Sequence, residues 1–144
     1  MIESNLVVID CGIAHWNEVF WPVSGFRFAE IFHFQTKSPN LIRLSPKLID
    51  TCHDLAGNHG FTAPVPVLAK QFPDSFWALP PSPDELWHGT ATAALAAEAP
   101  GNLIAIELPR SLLLDWRGDS MTLTLWLMLY QAAGQLSVGF RDSP

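Results

Sequence analysis

Charge is scarce in this chain, and positive charge is scarcest. Of 144 residues only 15% are Asp, Glu, Lys or Arg; eight Lys and Arg face fourteen Asp and Glu, for a formal net charge of -6. Phosphate contacts draw on Lys and Arg, so a broad basic surface for nucleic acid is excluded and only a local basic strip could be built. Cysteine is nearly absent as well. Cys11 and Cys52 belong to no CxxC pair and show no zinc-ligand spacing, so a disulfide scaffold and a structural zinc site are both excluded. Two thiols in a domain of this size fit a reducing compartment, and the expected localisation is cytoplasmic. No basic segment followed by an apolar core opens the sequence, so no signal peptide is read there. Long hydrophobic runs are missing too. The longest near the C-terminus, Met121 to Tyr130, falls short of the ~20 residues a bilayer demands, and no membrane association is expected.

Apolar mass is plentiful. The chain is 49% hydrophobic, with six Trp and nine Phe, so it can bury a real core and is expected to form a single domain over residues 1–144. Exposed aromatics among these would supply a face for a protein partner or for homo-oligomerisation. Two segments stand out. Leu6-Val7-Val8-Ile9-Asp10-Cys11-Gly12 and Leu103-Ile104-Ala105-Ile106-Glu107-Leu108-Pro109 are apolar runs that each end in one carboxylate. Such runs read as strands buried on both faces, and an acid at the strand end sits at the sheet rim, where open α/β folds bind ligands.

The remaining pattern predicts an α/β fold. Strands are expected over Leu6 to Asp10, Glu18 to Val23 and Phe26 to Phe34, with Phe26, Phe28, Phe32 and Phe34 on one face and Arg27 and His33 on the other. Short links between these runs imply an antiparallel meander. Ser45-Pro46 starts a helix, with Leu48, Ile49, Cys52 and Leu55 at helical spacing and Gly57 or Gly60 at its end. A proline-rich irregular insertion follows from Phe61 to Pro83, read as a stiff cover over apolar surface. Ser82-Pro83-Asp84-Glu85 is a capping box for a helix that runs to about Glu98, and Pro100-Gly101-Asn102 stops it before the strand Leu103 to Leu108. Asp119-Ser120 caps a helix through Ala133, closed by Gly134, in preference to a strand over Met121 to Leu127 paired with Leu112 to Trp116. Leu136 to Phe140 would be the last strand. The sum is a mixed five-stranded sheet: the meander, then helix–strand–helix–strand.

That order resembles the ribonuclease H-like fold, and the local sequences are similar to those of RuvC-type Holliday junction resolvases. Ile9-Asp10-Cys11-Gly12 matches the family's first strand, Ile104-Ala105-Ile106-Glu107 its fourth, and Ala133-Gly134 the helix before its fifth. The resemblance covers Leu6 to Phe34 and Asp84 to Phe140. It implies a metal-dependent nuclease acting on structured or branched DNA, with Asp10 and Glu107 as ligands to Mg²⁺ or Mn²⁺. Two-metal cleavage joins several carboxylates around ions about 3.5–4 Å apart, so a third acid is required. Asp142 is the first candidate for a catalytic set of Asp10, Glu107 and Asp142; Asp115 and Asp119 come next. The family's paired Asp on a C-terminal helix have no counterpart here, and its basic charge is reversed. The alternative is therefore a non-catalytic protein-binding or scaffold subunit on an α/β fold, its acidic site degenerate.

The simpler roles are also specific. Asp10 caps a turn, Glu107 pairs with Arg110 or Arg27, and Asp142 is solvated near the chain end. Cys52-His53-Asp54 cannot form a thiol relay on a helix, where neighbours diverge by about 100°. Cys52 falls on the apolar face, where thiols are inert. His15, His33, His53, His59 and His88 are scattered, with His53 and His59 placed to favour a helix dipole. Trp77 and Trp87 bracket the proline segment and are expected to be an exposed pair.

Overall fold

The computed structural model describes residues 5–17, 20, 28–78, 88–99, 101–110, 112 and 120–139. Four strands are described: β1 (Asn5–Asp10), β2 (Glu30–Gln35), β3 (Asn40–Arg43) and β4 (Asn102–Glu107). Four α-helices accompany them: α1 (Pro46–His59), α2 (Val65–Gln71), α3 (His88–Ala96) and α4 (Ser120–Gly139). The sheet is open and mixed, in the order β1-β4-β2-β3. β4 runs parallel to both β1 and β2, and only β2 and β3 are antiparallel.

This order corrects the expected meander. β4 lies between β1 and β2, so the segment expected as the third meander strand pairs in parallel with β4. The chain between β1 and β2 covers 11–29, too long for a tight hairpin and long enough to carry a parallel strand across a neighbour. The strand expected over Glu18 to Val23 lies mostly outside the described residues. The third expected strand is shorter than Phe26 to Phe34: β2 begins only at Glu30, and Phe28, ahead of it, packs edge-on to Phe20 with ring centroids 5.1 Å apart. β3 was not foreseen. Its pairing sets Phe34 opposite Leu41 and Phe32 opposite Arg43, and Arg43 forms an ion pair with Glu30.

Alternation divides the parallel strands between two cores. Val8, Ile31, Leu103 and Ala105 face a layer containing Cys52 of α1, Leu68 of α2 and Ala93 of α3. Val7, Ile9, Phe32, Phe34 and Ile106 face Leu129, Ala133 and Leu136 of α4. The result is a three-layer α/β/α arrangement, which explains why β1 and β4 read as continuous apolar runs.

The helices follow capping and spacing. The Ser45 hydroxyl accepts the Leu48 N–H, Pro46 occupies the first turn, and Gly60 ends α1, as the sequence predicts. The proline segment is less irregular than expected. It holds α2 and a 3-10 turn at Phe76–Ala78, and Leu68, Phe72 and Trp77 are core residues. Pro64 and Pro66 fall at the start of α2, where a missing N–H costs nothing. The start of α3, with its predicted capping box at Ser82, lies outside the described residues. Gly101, at φ 114°, makes the turn into β4.

The predicted fifth strand does not form over its described part. α4 continues through Gly134 to Gly139, and Leu136 sits in its last turns. Leu129, Ala133 and Leu136 recur at i, i+4 and i+7 and bury one stripe on the sheet, a gain that one glycine's helix cost of about 1 kcal/mol does not offset. Among the described residues no helix is long and apolar enough to cross a membrane.

Candidate functional site

The parallel strands bring three titratable residues onto one rung at their carboxyl ends. Asp10 of β1 is the register partner of Glu107 of β4, and Glu107 is the partner of His33 of β2. Partners in register point to the same face, here the face of α1, α2 and α3. Asp10 and Glu107 therefore stand side by side at the sheet rim.

Their environments differ. Glu107 is completely buried. Its Oε1 accepts the Gly12 N–H and its Oε2 the Ile13 N–H, both at 2.9 Å. Gly12, at φ 70°, gives the turn that aims both donors inward. Burial pushes the Glu107 carboxyl up to about 8, against the pull of these backbone donors, and the neighbouring Asp10 carboxylate adds to the rise. Glu107 thus fastens the loop after β1 to the end of β4. It does not pair with Arg110, whose guanidinium donates to the Pro73 carbonyl instead; Arg27 lies outside the described residues.

Asp10 turns to α3. Its Oδ1 accepts the Cys11 N–H at 2.7 Å, and its Oδ2 lies 2.8 Å from Nδ1 of His88, the first residue of α3. The Asp10 side chain is largely covered while that of His88 is mostly exposed. The loop is tied to α3 at two further points. The Thr90 hydroxyl donates to the Gly12 carbonyl and accepts the Ala14 N–H, and the Gly89 N–H donates to the Cys11 carbonyl at 2.7 Å. Trp77 closes the loop from the other side, its Nε1 donating to the Ile13 carbonyl. Sequence reasoning missed His88, Thr90 and Trp77 in these roles. Each lies more than 60 positions from its partner, and none carries a local motif.

Among the described residues, the carboxyl oxygens at this rim already have partners. Both Glu107 oxygens are engaged by backbone N–H groups inside the protein, and Asp10 is turned to an imidazole. Among the described residues no three His, Cys, Asp or Glu side chains converge on a point. Asp142, Asp115 and Asp119 lie outside the described residues. Mg²⁺ takes exposed oxygen donors in near-octahedral array, and a carboxyl held near neutrality in the interior is a poor one.

The other polar groups are mostly sealed. Burial pushes both thiols up to about 12, with the Asp10 and Glu107 charges contributing at Cys11, so neither is a ready nucleophile. His15 is buried beside Trp16, Trp77 and His53, and its two nitrogens have no hydrogen-bond partner among the described residues. Trp77 is fully buried, which corrects the expected exposed pair; a 3-10 turn folds it inward against Phe72 and His33. Trp87 lies outside the described residues.

A second feature is on the opposite layer. α4 has no charged residue in its twenty positions. One stripe meets the sheet; on another, Leu123 is 54%, Leu127 61% and Tyr130 60% exposed. With Gly134, where an added Cβ would meet nothing within 4 Å, these fall at i, i+4, i+7 and i+11. That is the spacing of a helix–helix seam.

Fold and site together define a three-layer α/β protein with an open mixed sheet and a backbone-locked carboxylate at its rim. Compared with protein-family models, curated proteins and solved structures, the chain matches none.

Proposed function

We propose that the chain is a non-catalytic binding subunit that self-associates through α4, in a cytoplasmic setting. The observation that carries this reading is the exposed Leu123, Leu127 and Tyr130 seam on a helix without charge. A helix that is apolar on more than one side calls for burial on more than one side. The occupant is a second copy. The chain carries a net charge of -6, and the charge-free helix is where two acidic copies meet without repulsion. The heptad-like seam is self-complementary, as a two-fold interface requires, and Gly134 admits a close backbone approach. The acidic rim serves architecture in this reading, with Glu107 holding the loop after β1.

Sedimentation equilibrium tests it. The wild-type chain is expected at twice its 15.9 kDa monomer mass, and Leu127→Lys at the monomer mass with its helical circular-dichroism signal kept, because Leu127 is exposed in the single chain. A wild-type chain that stays monomeric at about 0.1 mM would remove the proposal, since the dissociation constant of a functional seam should lie below that.

The register of Asp10 with Glu107 favours a second reading, a RuvC-like, metal-dependent nuclease acting on branched DNA. It needs Mg²⁺ or Mn²⁺ at Asp10 and Glu107, a third acid such as Asp142, and release of Glu107 from Gly12 and Ile13. A ribonuclease H-like ancestry belongs to this reading. Manganese-dependent cleavage of a four-way DNA junction, lost in Asp10→Asn, would favour it over the first.

A further inference from the structure

Among the described residues, His88 combines a held ring with an open one-nitrogen edge. Its Nδ1 lies 2.8 Å from Asp10 Oδ2, while its side chain is 78% exposed. A carboxylate only accepts, so in the neutral ring the proton sits on Nδ1 and the lone pair on Nε2. With Nδ1 held, Nε2 lies on the ring edge turned away from Asp10. Two mobile side chains on a surface would make a loose pair, but both partners here are anchored. The Asp10 side chain is only 17% exposed, and its Oδ1 is fixed by the Cys11 N–H. The backbone that carries His88 is fixed as well. The Gly89 N–H donates to the Cys11 carbonyl, and the Thr90 hydroxyl bridges Gly12 and Ala14. The pair stands at the carboxyl ends of β1 and β4, the side of a parallel sheet where open α/β folds take their ligands. The other imidazoles differ. His15 and His33 are buried, and His53 packs on His15. His59 is exposed at the end of α1 and forms no ion pair among the described residues.

We propose that His88 is a phosphoryl-acceptor site, its Nε2 taking a phosphoryl group from a donor that carries it on nitrogen, a phosphoramidate. The Nε2 lone pair attacks phosphorus and forms a new N–P bond. The donor's own N–P bond breaks, and its nitrogen leaves with that bond's electron pair. In the donor's zwitterionic form this nitrogen is already an ammonium, so it departs as a neutral amine and calls for no outside acid. The ring becomes a phosphoimidazolium, keeps its proton on Nδ1 and holds the new positive charge against Asp10. One N–P bond replaces another, and nothing is oxidised or reduced. Asp10 is the positioning residue, since it sets the tautomer that leaves Nε2 nucleophilic. The site lies in the layer of α3, across the sheet from α4, and does not rest on self-association.

Incubation of the full chain with inorganic phosphoramidate at about pH 7.5, where a free imidazole of pKa about 6.5 is mostly neutral, tests it. Peptide mass spectrometry, at a mildly alkaline pH that spares the N–P bond, follows His88 and His59 in the same sample. His88 is expected to be phosphorylated at least about tenfold faster than His59, with phosphorus–proton NMR placing the group on Nε2. Asp10→Asn supplies the tautomer control. The Cys11 N–H keeps the amide oxygen, so the amide N–H faces Nδ1, moves the ring proton to Nε2 and removes its lone pair. That variant should slow His88 to the rate of His59 and leave His59 unchanged, with its circular-dichroism spectrum kept. The comparison of the two histidines in the wild-type chain stands whether or not the variant folds. A His88 no faster than His59, a phosphoryl group on Nδ1, or a folded Asp10→Asn chain that reacts as fast as wild type would each overturn the proposal.

Discussion

Glu107 and two histidines give the chain an unusual pH response. The Glu107 carboxyl is raised to about 8 from 4.5, so its neutral form favours the fold. That contribution is complete below pH 4.5 and is lost as pH rises to about 8. His15 and His33 are held down, to about 3 and about 4 from 6.5, in both cases chiefly by burial. Their neutral forms favour the fold above 6.5, and that contribution is lost as pH falls toward those lower values. Two histidines outweigh one carboxyl between 4.5 and 6.5, so stability should peak at about pH 6.5 and decline toward 8. Urea unfolding across this range checks the profile. Glu107→Gln should abolish the alkaline decline and cost about 1–3 kcal/mol near pH 6, because an amide cannot accept from Gly12 and Ile13 with both its heavy atoms. A profile unchanged in Glu107→Gln would show that the decline has another source. The sequence marked Asp10 and Glu107 because each ends an apolar run. It held no sign that Glu107 turns inward, since its partners are backbone groups 94 and 95 positions away.

At the level of elements, α3 approaches the loop after β1 closely. A Cβ on Gly89 would lie 2.5 Å from the Cys11 carbonyl oxygen and 2.6 Å from the Ile13 side chain. Gly89→Ala should therefore destabilise the chain by about 1–3 kcal/mol, although alanine is the better helix former, whereas Gly57→Ala, on α1 in open space, should stabilise it by a fraction of that. Thermal unfolding of the two variants compares them; equal shifts would contradict the joint. Local chemistry made some elements legible. Ser45-Pro46 and Gly60 bound α1, and Pro100-Gly101 precedes β4. Others were hidden because glycine and proline carry two meanings. Gly134 reads as a helix end but lies mid-helix, and the prolines at 64 and 66 read as loop but open α2. The burial that decides between these meanings is tertiary.

For the whole molecule, the fold class was legible and the strand order was not. Continuous apolar strands separated by helical patterns imply a sheet covered on both faces, and α4 on one side with α1, α2 and α3 on the other meets that expectation. Which strand neighbours which depends on where a long connection such as 11–29 travels, and no residue in it encodes the insertion of β4 between β1 and β2. The same layering leaves α4 with an outer face that the monomer does not cover. Cys11 and Cys52 have thiols raised to about 12, so the chain offers little thiolate of its own and an introduced cysteine reports cleanly. Leu127→Cys, near the middle of the proposed seam, should form a disulfide-linked dimer rapidly under mild oxidant, because a two-fold pairing of α4 would bring the two sulfurs within bonding reach. An Asp54→Cys control on the exposed side of α1 should remain monomeric on the same timescale. Equal crosslinking of the two variants, or none in Leu127→Cys, would contradict self-association through α4.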